Sequence, residues 1–346
     1  MYDAIVVGAG PAGCACARRL SALGRRVLLV ERMKLPREKS CSGILIRKAL
    51  RLVEEGFGEP VPASVTCRPS DNRGMVFFAD SGQEYRFEQP GLNVWRSRFD
   101  GWLAQRAATA GAELRDGTAA TAMLAEDDGV VLELRGGKRR REVAFFAVLC
   151  EGVTAPLTRD LLGLRRNFIT TYQTFHRGSI GSGGLDPHYF HSFLQPAFSE
   201  YDAWFNVKDD LLVAGVAVRD TAQIARYHAA FRDHLTLGYG VDLGEPLRAE
   251  RWIMPAVESD HEIVAGRGRV LVAGEAAGFL NPMGEGVSAA LESGFAAAEA
   301  VHASLASGTA ALPDYRARVA RPYEYMMRQW SYTGEISERF SHMVRA

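Results

Sequence analysis

The start of the chain carries the pattern that most limits the folds open to it. Residues 5–7 are an apolar run that opens onto Gly-x-Gly-x-x-Gly at residues 8–13. Residues 14–23 read as a helix, and the apolar residues 27–30 read as a second buried strand. This order predicts a strand, a tight turn, a helix and a second strand in one compact unit.

Each glycine of the pattern has a chemical reason for its position. Gly8 permits the tight turn, Gly10 lets the backbone approach a pyrophosphate, and Gly13 lets the helix pack closely on the strand. Free N–H groups and the positive dipole at the helix start hold phosphates. Glu31, at the end of the second strand, is placed to bind an adenosine ribose. The alternative is a glycine-rich turn without a nucleotide, but the strand, helix and acid around this turn favour a dinucleotide.

Length and composition set further limits. The chain has 346 residues, enough for two domains or one domain with a large insertion. Its formal net charge of zero gives no reason to expect nucleic acid as a partner. We find neither an apolar run of membrane-spanning length nor a signal peptide, and the five scattered cysteines indicate a reducing compartment. We therefore expect a cytoplasmic protein without a transmembrane segment or a metal site.

The middle of the chain alternates between helical and strand patterns. Residues 32–43 form a polar loop, and helical spacing begins at Ile44. Residues 75–87 predict a β-hairpin, and residues 96–111 predict a helix. An apolar run at residues 145–150 then predicts another buried strand of the nucleotide domain.

An aromatic-rich stretch from residue 167 to residue 218 predicts a second, sheet-based domain. Any one of its rings could simply be sheet core, since strands favour aromatic residues. Together, rings such as Tyr201, Trp204 and Phe205 suggest the wall of an apolar pocket.

The nucleotide-domain pattern returns near the end of the chain. Residues 269–273 predict a strand, and a glycine-rich loop leads from it into an Ala-rich helix that we expect to end near Leu305. A second helix start therefore faces a ligand. From Pro313 onward the tail is helical in character, rich in aromatic residues and interrupted by Pro322.

These features together resemble the FAD-dependent enzymes of the p-hydroxybenzoate hydroxylase fold, and within that group the geranylgeranyl reductase family. The residues that carry the likeness are Lys39-x-Cys41-x-Gly43, Arg96-x-x-Phe99-Asp100, Glu151-Gly152, and the stretch from Gly274 to Gly294 with Gly284-Glu285-Gly286. The chain has Glu at 275 and 151 where the family usually has Asp, and Ala155 where it has Ser. The family's Tyr-x-Trp-x-Phe-Pro strand is matched only loosely, at residues 201–206.

The resemblance implies an α/β fold: a discontinuous, Rossmann-like FAD-binding domain of the glutathione-reductase type, an inserted antiparallel β-sheet substrate domain and a helical C-terminus. We assign residues 1–66, 95–164 and 252–312 to the FAD-binding domain. Residues 67–94 and 165–251 form the predicted substrate domain. Residues 313–346 form the predicted helical tail.

The resemblance also implies which residues bind FAD. The expected cofactor residues are Gly8, Gly10, Pro11, Ala12, Gly13, Glu31, Arg32, Cys41, Ser42, Gly43, Arg96, Glu275, Gly284, Gly286 and Val287. Glu275 would bind the ribityl or pyrophosphate region, and residues 282–287 would lie against the isoalloxazine. N–H groups at that helix start would stabilise negative charge on the reduced flavin.

Cys41 is the candidate catalytic residue. By the resemblance it lies beside the flavin, where its thiol could donate a proton or shape the pocket; the alternative is an ordinary buried or exposed thiol. Glu285 either caps a turn or faces the pocket. The expected substrate pocket contains Tyr201, Trp204, Phe205, Pro282 and Glu285.

The resemblance favours a reductase that delivers hydride from flavin N5 to a C=C bond of an apolar, isoprenoid-like substrate. NAD(P)H or a ferredoxin would supply the electrons. One alternative is an FAD-dependent monooxygenase or halogenase-type tailoring enzyme on the same fold. Another is a flavin electron carrier that docks partners through its aromatic tail.

Overall fold

Two eight-stranded sheets form the framework of the part of the chain that the computed structural model describes, namely residues 1–256, 262–282 and 284–336. The strands in chain order are β1 (Tyr2–Val7), β2 (Val27–Val30), β3 (Ile44–Ile46), β4 (Thr66–Phe78), β5 (Glu84–Val94), β6 (Glu113–Arg115), β7 (Ala119–Ala125), β8 (Val130–Gly136), β9 (Lys138–Leu149), β10 (Phe168–His176), β11 (Tyr189–Phe193), β12 (Ala203–Lys208), β13 (Leu211–Val218), β14 (Pro246–Pro255), β15 (Gly266–Arg267) and β16 (Val270–Val272). The helices are α1 (Pro11–Ala22), α2 (Arg47–Phe57), α3 (Arg96–Thr109), α4 (Pro156–Leu162), α5 (Ile224–Tyr239), α6 (Val287–Ser307), α7 (Ala311–Arg318) and α8 (Ala320–Ile336).

The first sheet is built on five parallel strands in the order β16-β9-β1-β2-β6, with β15, β7 and β8 added by antiparallel pairing. Val6 of β1 lies in register with Leu29 of β2 on one side and with Val148 of β9 on the other. At the centre of this sheet β2, β16 and the ends of β1 and β9 are continuous, buried apolar runs, as a sheet covered on both faces requires. Because parallel strands end at one edge, the residues after β1, β2, β9 and β16 meet there.

The second sheet has the order β14-β10-β13-β12-β11-β4-β5-β3, and within it only the β11–β4 pair is parallel among the described strands. Helix α5 covers one of its faces, where Phe231 packs with Phe193 and Phe205 in a separate apolar core. The opposite face turns toward the edge of the first sheet where the parallel strands end.

Small residues let α1 and α6 cross closely above the first sheet. A Cβ atom added to Gly294 would lie 2.1 Å from the carbonyl oxygen of Ala12, and one added to Gly274 would lie 2.9 Å from the Ala12 Cβ. This close crossing brings the starts of α1 and α6 side by side. The Ala-rich composition of α6 is therefore a packing requirement.

The predicted fold class is confirmed, and local differences have physical causes. Residues 44–46 pair with residues 91–93 as strand β3, so the helix predicted from Ile44 begins at Arg47. The predicted domain boundary at residue 251 falls inside β14, which continues to Pro255.

The predicted helical tail is made of α7 and α8 as far as residue 336, and residues 337–346 lie outside the described part. The break between α7 and α8 falls at Val319 and not at the predicted Pro322. Pro322 lies in the first turn of α8, where a proline does not interrupt a helix. Tyr315 of α7 is fully buried and donates a 2.7 Å hydrogen bond to the Val272 carbonyl. The beginning of the tail thus packs on the first sheet.

Candidate functional site

A large cavity lies between the edge of the first sheet and the second sheet. Its first wall contains the turn after β1, the loop of residues 31–42 and the residues that follow β9 and β16. The starts of α1 and α6 also line it, and its far wall comes from β10, β11, β12 and β14. The cavity therefore joins the predicted nucleotide domain to the predicted substrate domain.

The turn after β1 needs glycine for steric reasons. Gly8 has φ +102°, and a Cβ there would lie 2.3 Å from the Cys150 carbonyl oxygen. A Cβ on Gly13 would lie 1.8 Å from the carbonyl oxygen of Gly8. Gly10 differs, because the closest atom to an added Cβ is Nη2 of Arg37 at 3.7 Å. Gly10 thus leaves space in the cavity itself.

The start of α1 fits a bound phosphate group. Its N-cap is Gly10, which offers no side-chain hydrogen bond to the first turn, and Pro11 fills the position where an N–H would be unused. Gly10, Pro11 and Ala12 line the cavity. An uncapped helix start that opens into a cavity is suited to the pyrophosphate of a dinucleotide.

Glu31 is held rigidly at the edge of the cavity. Its two carboxylate oxygens each accept a 3.0 Å hydrogen bond, one from the Ala9 N–H and one from the Met33 N–H. Nε of Arg37 lies 3.4 Å from the same carboxylate. Glu31 therefore fixes the turn after β1 as well as facing the predicted ribose position.

A buried ion network stands behind the loop of residues 31–42. Asp100 is fully buried and accepts hydrogen bonds from Arg96, while Nη2 of Arg37 lies 3.0 Å from it. Burial alone would raise the pKa of Asp100, but the two guanidinium groups lower it. The pKa of Arg96 is raised: burial acts to lower it, and the charges of Asp100 and Cys41 outweigh that. Arg96 therefore stays charged beside the cavity.

Cys41 lies at the cavity wall next to this network. The Gly43 N–H donates a 3.4 Å hydrogen bond to its sulfur. Burial acts to raise the pKa of the thiol, but Arg96, the Gly43 N–H and Lys39 together bring it below the usual value. The site therefore favours the thiolate more than an isolated cysteine would.

Glu275 faces the same cavity from the residues after β16. Its carboxylate is paired with Lys39 at 3.0 Å, and its carbonyl accepts a 3.0 Å hydrogen bond from Arg166. Glu151 plays a different part, because its oxygens cap α4 by accepting hydrogen bonds from the Leu157 N–H and from the N–H and hydroxyl of Thr158.

The start of α6 closes the cavity on the side of the predicted isoalloxazine. Its N-cap, Gly286, makes no side-chain hydrogen bond, and Gly286, Val287 and Pro282 line the cavity together with Gly284. Two helix starts thus point at one cavity, one at each predicted end of the cofactor.

The far wall is mainly apolar. It includes Trp204, Phe190, Leu194, Ile169 and Met254. The indole N–H of Trp204 donates a 3.3 Å hydrogen bond to Gln173, which fixes the ring. Tyr201 also lines this wall, as predicted from the aromatic stretch.

Some predicted site residues lie elsewhere. The sequence predicts Phe205 in the pocket, but it lies in the core beneath α5, because adjacent residues on a strand point to opposite faces and Trp204 takes the cavity face. Of the two alternatives for Glu285, the structure has the cap and not the pocket position: its carboxylate accepts hydrogen bonds from Ser288 in the first turn of α6. Gly13 and Gly43 are packing positions against backbone carbonyls and do not line the cavity.

The other predicted residues do line the cavity, namely Gly8, Gly10, Pro11, Ala12, Glu31, Arg32, Cys41, Ser42, Arg96, Glu275, Gly284, Gly286, Val287, Tyr201, Trp204 and Pro282. Arg37 and Gln173 also line the cavity and are not among the predicted residues. Arg37 stands in a loop without periodicity, so only the unusual number of cations there could have indicated it. Gln173 is a polar residue inside an aromatic strand, and that contrast could have identified it from the sequence as a candidate site residue.

Within the described residues, no group of three or more His, Cys, Asp or Glu side chains could hold a metal ion. No helix within the same residues combines the length and apolarity needed to cross a membrane.

Comparisons with known proteins agree with this geometry. The FAD binding domain family model matches residues 1–182. Protein FixC of Salmonella typhi is 31% identical over 169 residues, which are 46% of this chain and 39% of FixC. A 12-dehydrotetracycline 5-monooxygenase/anhydrotetracycline 6-monooxygenase of Streptomyces rimosus is 28% identical and covers 82% of this chain. The chain spans 59% of that enzyme, so it covers less than two thirds of either relative.

The solved structure of a geranylgeranyl bacteriochlorophyll reductase-like protein from Thermoplasma acidophilum has a similar fold. It superposes with a TM-score of 0.80 at 18% identity and covers 100% of this chain and 88% of its own. At that identity the likeness concerns the fold. The match of the family model to more than half of the sequence shows that this chain belongs to the FAD binding domain family, with FAD as its cofactor.

Proposed function

We propose that the protein is a reductase of C=C bonds in an apolar, isoprenoid-like substrate. The observation that carries the proposal is the position of Cys41: a thiol with a lowered pKa lines the same cavity as the turn after β1 and the apolar far wall. Such a thiol is a suitable proton donor to a substrate on that wall.

Different residues of the chain would bind the cofactor and position the substrate. The α1 start and Glu31 would hold the ADP half of FAD, and the α6 start would hold its redox-active ring. Bound FAD, once reduced by NAD(P)H or a ferredoxin, supplies a hydride. Trp204 and its apolar neighbours orient the alkene and exclude water from it.

Cys41 would complete the reduction. As a new C–H bond forms at one alkene carbon, Cys41 Sγ donates its proton to the other carbon. The resulting thiolate is stabilised by Arg96 and by the Gly43 N–H, and a proton from solvent restores the thiol. Two electrons and two protons are then added across the double bond.

The test is anaerobic mixing of dithionite-reduced protein with geranylgeraniol in D₂O. We expect reoxidation of the flavin and a product with two added hydrogens, both of them deuterium, because the hydride as well as the thiol proton derives from solvent when dithionite is the reductant. Cys41→Ala should slow substrate-dependent reoxidation by about 100-fold. The matched control is Cys67→Ala, since Cys67 is buried outside the cavity and its loss should leave the rate unchanged. Equal rates for the wild type and Cys41→Ala would refute the role of the thiol.

The second candidate is a monooxygenase, and the named activity of the Streptomyces rimosus relative favours it. Oxygen consumption stimulated by substrate, with one oxygen atom in the product, would overturn the reductase proposal. A protein that turns over neither way but passes electrons to a partner protein would be the electron carrier.

A further inference from the structure

A half-buried acidic cluster lies just behind the start of α6. Glu285 accepts a 2.9 Å hydrogen bond from the Ser288 N–H and a 2.8 Å hydrogen bond from the Ser288 hydroxyl. The loop before it is fixed as well, because the Glu285 N–H donates to the Asn281 side chain at 2.8 Å. The Glu285 carboxylate therefore has one well-defined position.

Charged groups of the described residues act on Glu285 from two helices: Lys48 from α2 and Glu292 from α6, and Tyr325 of α8 also faces it. Nζ of Lys48 lies 2.6 Å from Glu292 and 4.3 Å from the centroid of the Tyr325 ring. The Lys48 cation is thus already paired with another carboxylate.

This environment makes the neutral form of Glu285 accessible. Burial raises its pKa; the Ser288 hydrogen bonds and Lys48 act to lower it, and the neighbouring Glu292 acts to raise it. The net direction is upward. A carboxyl group in this state responds to a new negative charge nearby by taking up a proton.

The cofactor site is the source of such a charge. Gly284 and Gly286, the residues on either side of Glu285, both line the cavity. A cofactor bound in the cavity would therefore share the positive end of the α6 helix dipole with the Glu285 carboxylate, which already accepts hydrogen bonds from Ser288 in the first turn of that helix.

We propose that Glu285 takes up a proton when the bound FAD is reduced and releases it on reoxidation, so that the α6 start remains electrostatically balanced. Two electrons come from the reductant, one proton passes from solvent to a carboxylate oxygen of Glu285, and no bond of the protein breaks. The proposal applies equally to a reductase and to an oxygenase, so it does not depend on the function proposed above.

The test is the midpoint potential of the FAD-loaded protein, measured against pH in the wild type and in Glu285→Gln. An additional proton per two electrons steepens the potential by about 30 mV per pH unit. In the wild type we expect a range of pH in which the slope of midpoint potential against pH is steeper by this amount. In Glu285→Gln we expect no such range. Above that interval the variant should have the higher potential, because it lacks the negative charge, and below it the two should coincide.

The matched control is Glu299→Gln, on the same helix but paired with Arg19 away from the cavity. It should follow the wild-type curve. Parallel curves for the wild type and Glu285→Gln would overturn the proposal.

A second measurement covers the case in which Glu285→Gln fails to bind FAD. Proton uptake by the weakly buffered wild type is followed with an indicator dye during photoreduction at several pH values. We expect an interval in which uptake rises by up to one proton per FAD. Uptake that stays constant across the pH range would refute the proposal.

Discussion

Arg96 binds Asp100 through two parallel hydrogen bonds of 2.8 Å, from Nε and from Nη2, one turn apart on α3. Both side chains are buried, and Arg37 adds a second cation to the same carboxylate. Asp100 is therefore the anion that lets two arginines stay at the cofactor cavity. Its role is to hold them in position.

Asp100→Asn should destabilise the protein by about 3 kcal/mol, because the buried guanidinium of Arg96 loses its counter-charge and Arg37 keeps only its contact with Glu31. The measurement is the free energy of unfolding in urea, together with the affinity for FAD. The matched control is Asp314→Asn, which removes an exposed Asp–Arg pair at the same four-residue spacing on α7. That change should cost less than about 0.5 kcal/mol. Equal losses in both variants would contradict the assigned role of burial.

Substitutions at Gly10 and Gly13 should affect two different properties: the first should weaken FAD binding, and the second should destabilise the folded protein. A methyl group on Gly13 would collide with the Gly8 carbonyl, so Gly13→Ala should destabilise the apoprotein by about 3 kcal/mol. Gly10 has an extended backbone and open space beside it, so Gly10→Ala should leave the apoprotein's stability nearly unchanged. It should still weaken FAD binding by about tenfold or more, since the methyl group occupies the approach to the pyrophosphate. Unfolding of the apoproteins and FAD titration measure the two effects, and full FAD affinity in Gly10→Ala would contradict the proposed phosphate position.

The nucleotide end of the site could be predicted from the sequence because its parts are local. The turn after β1 needs glycine at fixed positions, and Glu31 follows one strand later. The spacing of residues close in sequence therefore determines how these site residues are arranged. The same holds for the helix start after Gly286. In each case the residue type is dictated by the backbone beside it.

The substrate side could not be predicted in the same way, because contacts distant in sequence decide it. Residues 44–46 have helical spacing, but pairing with residues 91–93 makes them a strand. Alternation shows that Trp204 and Phe205 face opposite sides of a strand, yet both faces of that strand are buried. Only the position of α5 determines which ring reaches the cavity.

Gly215 should control the shape of the substrate wall through Trp204. The two residues are paired across β12 and β13, and a Cβ on Gly215 would lie 2.1 Å from the indole ring. Gly215→Ala should push the ring toward the cavity and break its bond to Gln173. We expect a raised KM for the apolar substrate, an unchanged FAD affinity and a stability loss of about 2 kcal/mol.

A double-mutant cycle with Trp204→Phe checks this route. If Gly215 acts through the indole, the effects of the two substitutions on KM will not add. Additive effects would show that Gly215 acts through the backbone of the strand instead.

His228 should make the stability of the protein fall in mild acid. Nε2 of His228 lies 2.8 Å from the Thr174 hydroxyl, which also meets His176 at 2.7 Å. Burial is the main cause that lowers the pKa of His228 from 6.5 to about 4, and the positive charge of the nearby Arg232 lowers it further. Between these values the unfolded chain binds a proton that the folded chain excludes, so the free energy of unfolding decreases as pH falls from about 6.5 to about 4. One site with this shift contributes about 3 kcal/mol to the free energy of unfolding.

Urea unfolding at a series of pH values measures how steeply the free energy of unfolding falls with pH. The variant His228→Gln should show a shallower fall between pH 6.5 and about pH 4. Other buried histidines, such as His191, keep part of the slope in the variant. If His228→Gln and the wild type lose stability in parallel, His228 is not excluded from protonation in the folded protein.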